Sequence, residues 1–207
     1  IKDSGGDALA VACDVSDIDQ LETLVQTTID HYGRIDGLIN NAGINFVKPF
    51  TEITPSEWKR VISVDLEGTF FLTQLCVREM LKQGDGGSIV QIGSVHTQAA
   101  LPGAAPYDAA KHGVVGMSMA AAVELAPQRI RINVLSPGLC NTTIWKDIIA
   151  AAPNEEECLK HWNANIPAER LIEPEELARC CVFLLCDDSS CITGTNILAD
   201  NGMTSLL

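Results

Sequence analysis

Two hydrophobic periods alternate along the chain. Short apolar runs occupy residues 7–13, 36–41, 88–92, 131–136 and 193–200; they have the length and bounding residues of buried strands. Between them the apolar positions recur at helical spacing. Ile18, Leu21, Leu24, Val25 and Ile29 define one helix over residues 17–32, stopped by Gly33. Residues 54–82 predict a second, long helix. Thr54 is its N-cap, Pro55 its first position and Glu57 the third, and Trp58, Val61, Val64, Leu66, Phe70, Leu72 and Leu75 run along it. Residues 114–125 continue a further helix that carries the small Gly113 and Gly116, and Glu173-Pro174-Glu175-Glu176 opens the last one. Strands alternating with helices in this way predict an α/β domain built on a parallel sheet.

The size and charge of the chain narrow this further. Its 207 residues suit a single domain, 1–207, with a real core and no repeat or linker. No apolar run approaches the ~18 residues of a membrane span. A net charge of -13 argues against nucleic acid, which is bound by neutralising phosphates, and leaves a solvated acidic surface. Of the eight cysteines, Cys180, Cys181, Cys186 and Cys191 cluster, but no C-x-x-C or paired histidine spacing indicates a metal. They are expected to be small core residues and reduced thiols, in keeping with a cytoplasmic protein. His31, His112 and His161 fall on helix surfaces.

The candidate chemistry lies between Ser94 and Lys111, where a strand ends and a helix begins. Tyr107 and Lys111 are four apart, on one helix face and one turn from each other. A free tyrosine, with a pKa near ~10, holds its proton too tightly to exchange it with an alcohol at neutral pH. A fixed ammonium beside it favours the phenolate. Ser94 could then bind the same substrate oxygen. His96, two residues on, either lines the substrate pocket or is an idle loop residue.

A serine thirteen residues before Tyr-x-x-x-Lys resembles the active-site signature of the classical short-chain dehydrogenase/reductases. Asn40-Asn41-Ala42-Gly43, Asp14-Val15, and Pro137-Gly138 followed by Thr142 resemble further segments of that family, in family order. The resemblance implies a Rossmann-like, doubly wound parallel sheet with helices on both faces, NAD or NADP as cofactor, and a secondary alcohol or ketone as the small-molecule substrate. It casts Ser94, Tyr107 and Lys111 as catalytic. It assigns Asp14 and Val15 to the adenine side, Asn41, Ala42 and Gly43 to a ribose, and Tyr107 and Lys111 to the nicotinamide ribose. Pro137, Gly138, Cys140 (through its backbone) and Thr142 would lie by the nicotinamide. The helices of 58–82 and 114–125 resemble those through which members form homodimers and homotetramers.

Two departures stand out. No glycine-rich phosphate turn occurs, so the first strand, first helix and second strand of the family fold are expected to be missing from this stretch. With them goes the residue that separates NAD from NADP. Asp65 stands where the family usually has an Asn that helps hold a water leading from the active-site lysine to bulk; it either favours the charged form of Lys111 within that relay or is a drifted position in a less active protein. Residues 143–168, with Trp145, Trp162, Ile144, Ile148 and Ile149, correspond to the variable lid over substrate. Two rivals to the enzyme remain. One is a non-catalytic binding or scaffold protein on the same fold. The other is a serine hydrolase using Ser94 and His96, which lacks both G-x-S-x-G and an evident orienting acid.

Overall fold

In the computed structural model, which describes residues 1–150 and 152–206 and all of their side chains except those of 144, 147 and 148, four parallel strands form one sheet in chain order. They are β1 (Gly37–Asn40), β2 (Gly87–Ile92), β3 (Ile130–Pro137) and β4 (Asn196–Ala199). Parallel neighbours need long crossovers. These hold the helices: α2 (Pro55–Ile62), α3 (Thr69–Gln83), α4 (Ala105–Leu125), α5 (Thr143–Ala150), α6 (Glu155–Asn163) and α7 (Pro174–Leu185), with α1 (Ile18–Tyr32) preceding β1.

Alternation along the strands decides what covers each face. Ile89, Ile130 and Ile132 pack with Leu21 and Val25 of α1, Leu72, Cys76 and Met80 of α3, and Ala122 of α4. Val90 and Leu135 point the other way, onto Cys181 and Leu184 of α7. Helices therefore cover both faces, as the apolar character of β2 and β3 requires.

Residues 7–13 differ from the expectation of a strand. They make no backbone hydrogen bond to any strand among the described residues, and a strand persists only where its backbone groups find a partner. Leu9 is 43% exposed, while Cys13 and Val15 pack on the core beside α1 and α3. The cysteines also divide. All eight are free, but Cys186 and Cys191 are exposed and only Cys76 and Cys181 are fully buried. None of the described helices is long and apolar enough to cross a membrane.

The long helix of 54–82 forms as one continuous run with a defect inside it. Thr54 and Glu57 cap it reciprocally, Thr54 N donating to Glu57 Oε2 at 2.8 Å. Between α2 and α3, Ser63–Gly68 is a π-helical turn. The wider turn admits an extra residue into the helical run. It carries Val64, Asp65 and Gly68 inward, all buried. At Gly68 a Cβ would stand 2.4 Å from the Val15 carbonyl oxygen, a backbone atom with little room to yield. Gly68→Ala should cost roughly 1–3 kcal/mol by overpacking, a melting temperature lower by roughly 2–12 °C in a chain of this size. Thermal unfolding followed by circular dichroism checks this, and an unchanged melting temperature would mean that Val15 is not held there.

The small Gly113 serves a close helix contact within the chain: a Cβ there would meet Leu66 at 2.9 Å. The bare backbone lets α4 cross the π-helical turn closely, and half a turn earlier on α4 stands Lys111.

Candidate active site

The expected residues gather at the carboxyl ends of the strands, where open parallel sheets bind ligands. Asn41, Ala42 and Gly43 follow β1, Ser94 follows β2, and Pro137 to Thr142 lead out of β3. Helix α4 passes beneath them with Tyr107 in its first turn and Lys111 one turn on. Lys111 Nζ lies 5.4 Å from the Tyr107 ring centroid and donates to the Ile92 carbonyl at 3.0 Å, which ties the helix to the end of β2. Ser94 caps a short turn, Val95–Thr97, its Oγ accepting from His96 N at 3.2 Å. Thr97 Oγ1 anchors that turn by donating to Ser94 O at 2.8 Å and accepting from Asn196 Nδ2 of β4 at 2.9 Å.

Asp65 and Lys111 meet beneath this surface, 0% and 5% exposed. Asp65 Oδ1 accepts from Ile44 N at 2.8 Å, whereas Oδ2 stands 3.7 Å from Lys111 Nζ and has no hydrogen-bond partner. Burial pushes the Asp65 carboxyl up and the Lys111 ammonium down, each opposed by the charge of the other. Tyr107 is pushed up to about 12, chiefly by burial, with the Ser94 hydroxyl working against this and the Asp65 and Asp108 carboxylates adding to it. The expected lowering of Tyr107 by Lys111 is thus not expressed in this arrangement. The ammonium sits over the ring face, and Asp65 offsets its charge.

Above the pair, Gly43 keeps the backbone open, since a Cβ there would lie 3.1 Å from Asp65 Oδ2 and 3.5 Å from Lys111 Nζ. The bare strand end thus lies directly over the amine and the unpartnered carboxylate oxygen.

The remaining expected positions have distinct surroundings. Asp14 is exposed; its Oδ1 accepts from the Ser16 amide and hydroxyl at 3.0 and 2.7 Å, which hold the carboxyl below its usual range. Its Oδ2 faces Arg60 at 3.6 Å. Val15 and Ala42 share a small crevice with Val64 and Gly68. Gly138 N donates to Ala199 O at 3.0 Å, fastening the turn after β3 to β4. Cys140 bridges to Ile172, and burial pushes its thiol to about 11. Thr142 Oγ1 accepts from Trp145 N at 3.4 Å and so opens α5. Trp145 is buried and meets Trp162 of α6 edge-on, ring centroids 6.0 Å apart, so the two tryptophans pack on one another. Ile149 is buried too, and the side chains of Ile144 and Ile148 lie outside the described ones.

Two features escape a reading of the sequence. Asn40, next to the expected Asn41, is buried and donates through Nδ2 to Thr73 Oγ1 and Gln91 Oε1 at 2.9 and 2.8 Å, bracing β1 against β2 and α3. Asp108 Oδ1 pairs with His96 Nδ1, and the His96 ring stands edge-on to Tyr107 at 5.2 Å. The hydrolase reading lacked such an acid. Nevertheless, the hydrogen bond that Ser94 Oγ makes with residue 96 is to the backbone amide, not the ring, so no nucleophile-base pair is assembled.

Comparison with known proteins agrees with this fold. The family model described as enoyl-(acyl carrier protein) reductase matches residues 1–204. An uncharacterized oxidoreductase of Schizosaccharomyces pombe is 39% identical over 196 residues, covering 95% of this chain and 74% of its own. A short-chain type dehydrogenase/reductase from Mycobacterium marinum superposes with a TM-score of 0.92 at 32% identity, over 99% of this chain and 79% of the other. A gluconate 5-dehydrogenase from Burkholderia cenocepacia, solved with NADP and tartrate, gives a TM-score of 0.91 at 29% identity, over 100% and 79%.

Proposed function

Because the chain belongs to the short-chain dehydrogenase/reductase family, we propose that it moves a hydride between NAD or NADP and a secondary alcohol or ketone, with Tyr107 as the general acid and base. The observation that carries this is the convergence of Ser94, Tyr107 and Lys111 over the buried Asp65. The dinucleotide supplies the hydride donor or acceptor. In the reducing direction Ser94 orients the carbonyl oxygen, and Tyr107, a protonated phenol at neutral pH, gives its proton to that oxygen as negative charge builds there. In the oxidising direction the Tyr107 phenolate takes the proton of the alcohol and becomes the phenol again. Before that transfer Lys111 stabilises the phenolate, and Asp65 holds Lys111 in its charged form.

The residues that would hold the dinucleotide follow the same line. Asp14 and Val15 take the adenine side and Asn41 to Gly43 the ribose that the bare strand end admits. Tyr107 and Lys111 take the nicotinamide ribose, and Pro137, Gly138, the Cys140 backbone and Thr142 the nicotinamide. The relative solved with NADP supports the cofactor class. Coupled assays of the full-length protein with both dinucleotides against a panel of secondary alcohols and ketones test the reading. Hydride transfer to any of them upholds it. Tight dinucleotide binding without turnover would instead favour a binding or scaffold protein.

We also infer that a second copy packs on α3 and α4, where Phe70, Met119 and Val123 are 44%, 52% and 80% exposed. Light scattering at micromolar concentration should give a dimer or tetramer mass, and a monomer mass would count against it.

A further inference from the structure

The pairing of His96 with Asp108 has no part in the chemistry above, yet it stands within that site. His96 is fixed from three sides. Its backbone amide is bound to Ser94 Oγ, its ring rests edge-on against Tyr107, and its Nδ1 is engaged by Asp108 from the first turn of α4. Thr97 and Asn196 lock the turn that carries it. A carboxylate on Nδ1 places the imidazole proton there and leaves Nε2 as an oriented hydrogen-bond acceptor. Nε2 has no protein partner among the described residues.

The charges nearby say what such a group would accept. Both cation-forming side chains of the site are already faced by carboxylates, Lys111 by Asp65 and His96 by Asp108. No surplus positive charge is left at either to draw an anionic substrate, whereas a hydroxyl can donate to Nε2 without any. We propose that the substrate carries a second, uncharged hydroxyl group beside the reacting carbon, as in a vicinal diol or α-hydroxy ketone, and that His96 Nε2 accepts its hydrogen bond. This rests on Ser94 and Tyr107 binding the reacting oxygen, because His96 lies next to both. Asp108 is then a positioning residue, holding the tautomer rather than touching substrate.

The test compares butane-2,3-diol with butan-2-ol in the full-length protein. Wild type should favour the diol in kcat/KM by at least ~10-fold, since a site built around a substrate hydroxyl discriminates against the analogue lacking it. In His96→Leu the ratio should fall to near one, and His96→Gln, whose amide oxygen can accept the same bond, should keep part of it. In parallel, the His96 Nε2 resonance should move on titration with the diol and not with butan-2-ol. A ratio near one in wild type, a ratio that His96→Leu leaves intact, or 3-hydroxybutanoate outperforming the diol would each overturn the proposal. If no alcohol is turned over with either dinucleotide, the hydride-transfer reading fails by itself. The titration then decides this inference alone, a diol-specific shift supporting it and no shift overturning it.

Discussion

Tyr107→Phe is expected to fold like the parent and to lose a factor of roughly 10²–10⁴ in turnover, the range a positioned proton donor contributes. The substitution removes one oxygen and keeps the ring. The edge-on contact with His96 at 5.2 Å and the position over Lys111 therefore survive. What goes is the proton that must meet the substrate oxygen as the hydride arrives, and Ser94 cannot replace it, because a serine hydroxyl is a far weaker acid than a phenol. Dinucleotide binding, measured by fluorescence titration, should change little, whereas single-turnover reduction of a ketone should slow by the full factor. Near-normal turnover would remove Tyr107 from the role of acid.

The elements that local chemistry determines were legible before any coordinates. Thr54 and Glu57 announce the start of α2 because a capping box is a contact between residues three apart. The common helix face of Tyr107 and Lys111 follows from spacing alone. Features decided by distant partners were not legible. Residues 7–13 have a strand's composition, but strand formation depends on a neighbour to pair with. The π-helical turn at Ser63–Gly68 interrupts an apolar period that reads as unbroken α-helix, because the extra residue is accommodated in the backbone and leaves no mark in the pattern. His96 and Asp108 are twelve residues apart across a turn and a helix start, and only the way α4 meets the end of β2 joins them. Asp65 lay between the two cases. Its departure from the family pattern was visible in the sequence, but its complete burial and its approach to Lys111 needed the fold.

That approach gives Lys111→Met the second large effect, on stability as well as catalysis. Methionine keeps most of the apolar stem and removes the ammonium. Asp65 is then a fully buried carboxylate whose hydrogen bond comes from Ile44 N. Breaking a buried pair from one side costs about 3–5 kcal/mol, or roughly 6–20 °C in melting temperature for a chain of this size. The pH dependence identifies the cause. Burial already raises the Asp65 carboxyl, and losing Lys111 removes the charge that opposes this rise. A carboxyl whose folded pKa lies above its unfolded value of ~3.9 stabilises the fold below that value and loses the contribution as pH climbs through the folded pKa. The deficit of Lys111→Met should therefore be largest at neutral pH and shrink as pH falls toward ~4. Adding Asp65→Asn should restore the melting temperature at pH 7, because the amide leaves no charge to strand, while hydride transfer stays lost for want of the ammonium beside Tyr107. A Lys111→Met protein as stable as the parent at pH 7, with no recovery on acidification, would show that Asp65 and Lys111 do not face each other as charges. The role of Asp65 in holding Lys111 ionised would then have to be abandoned.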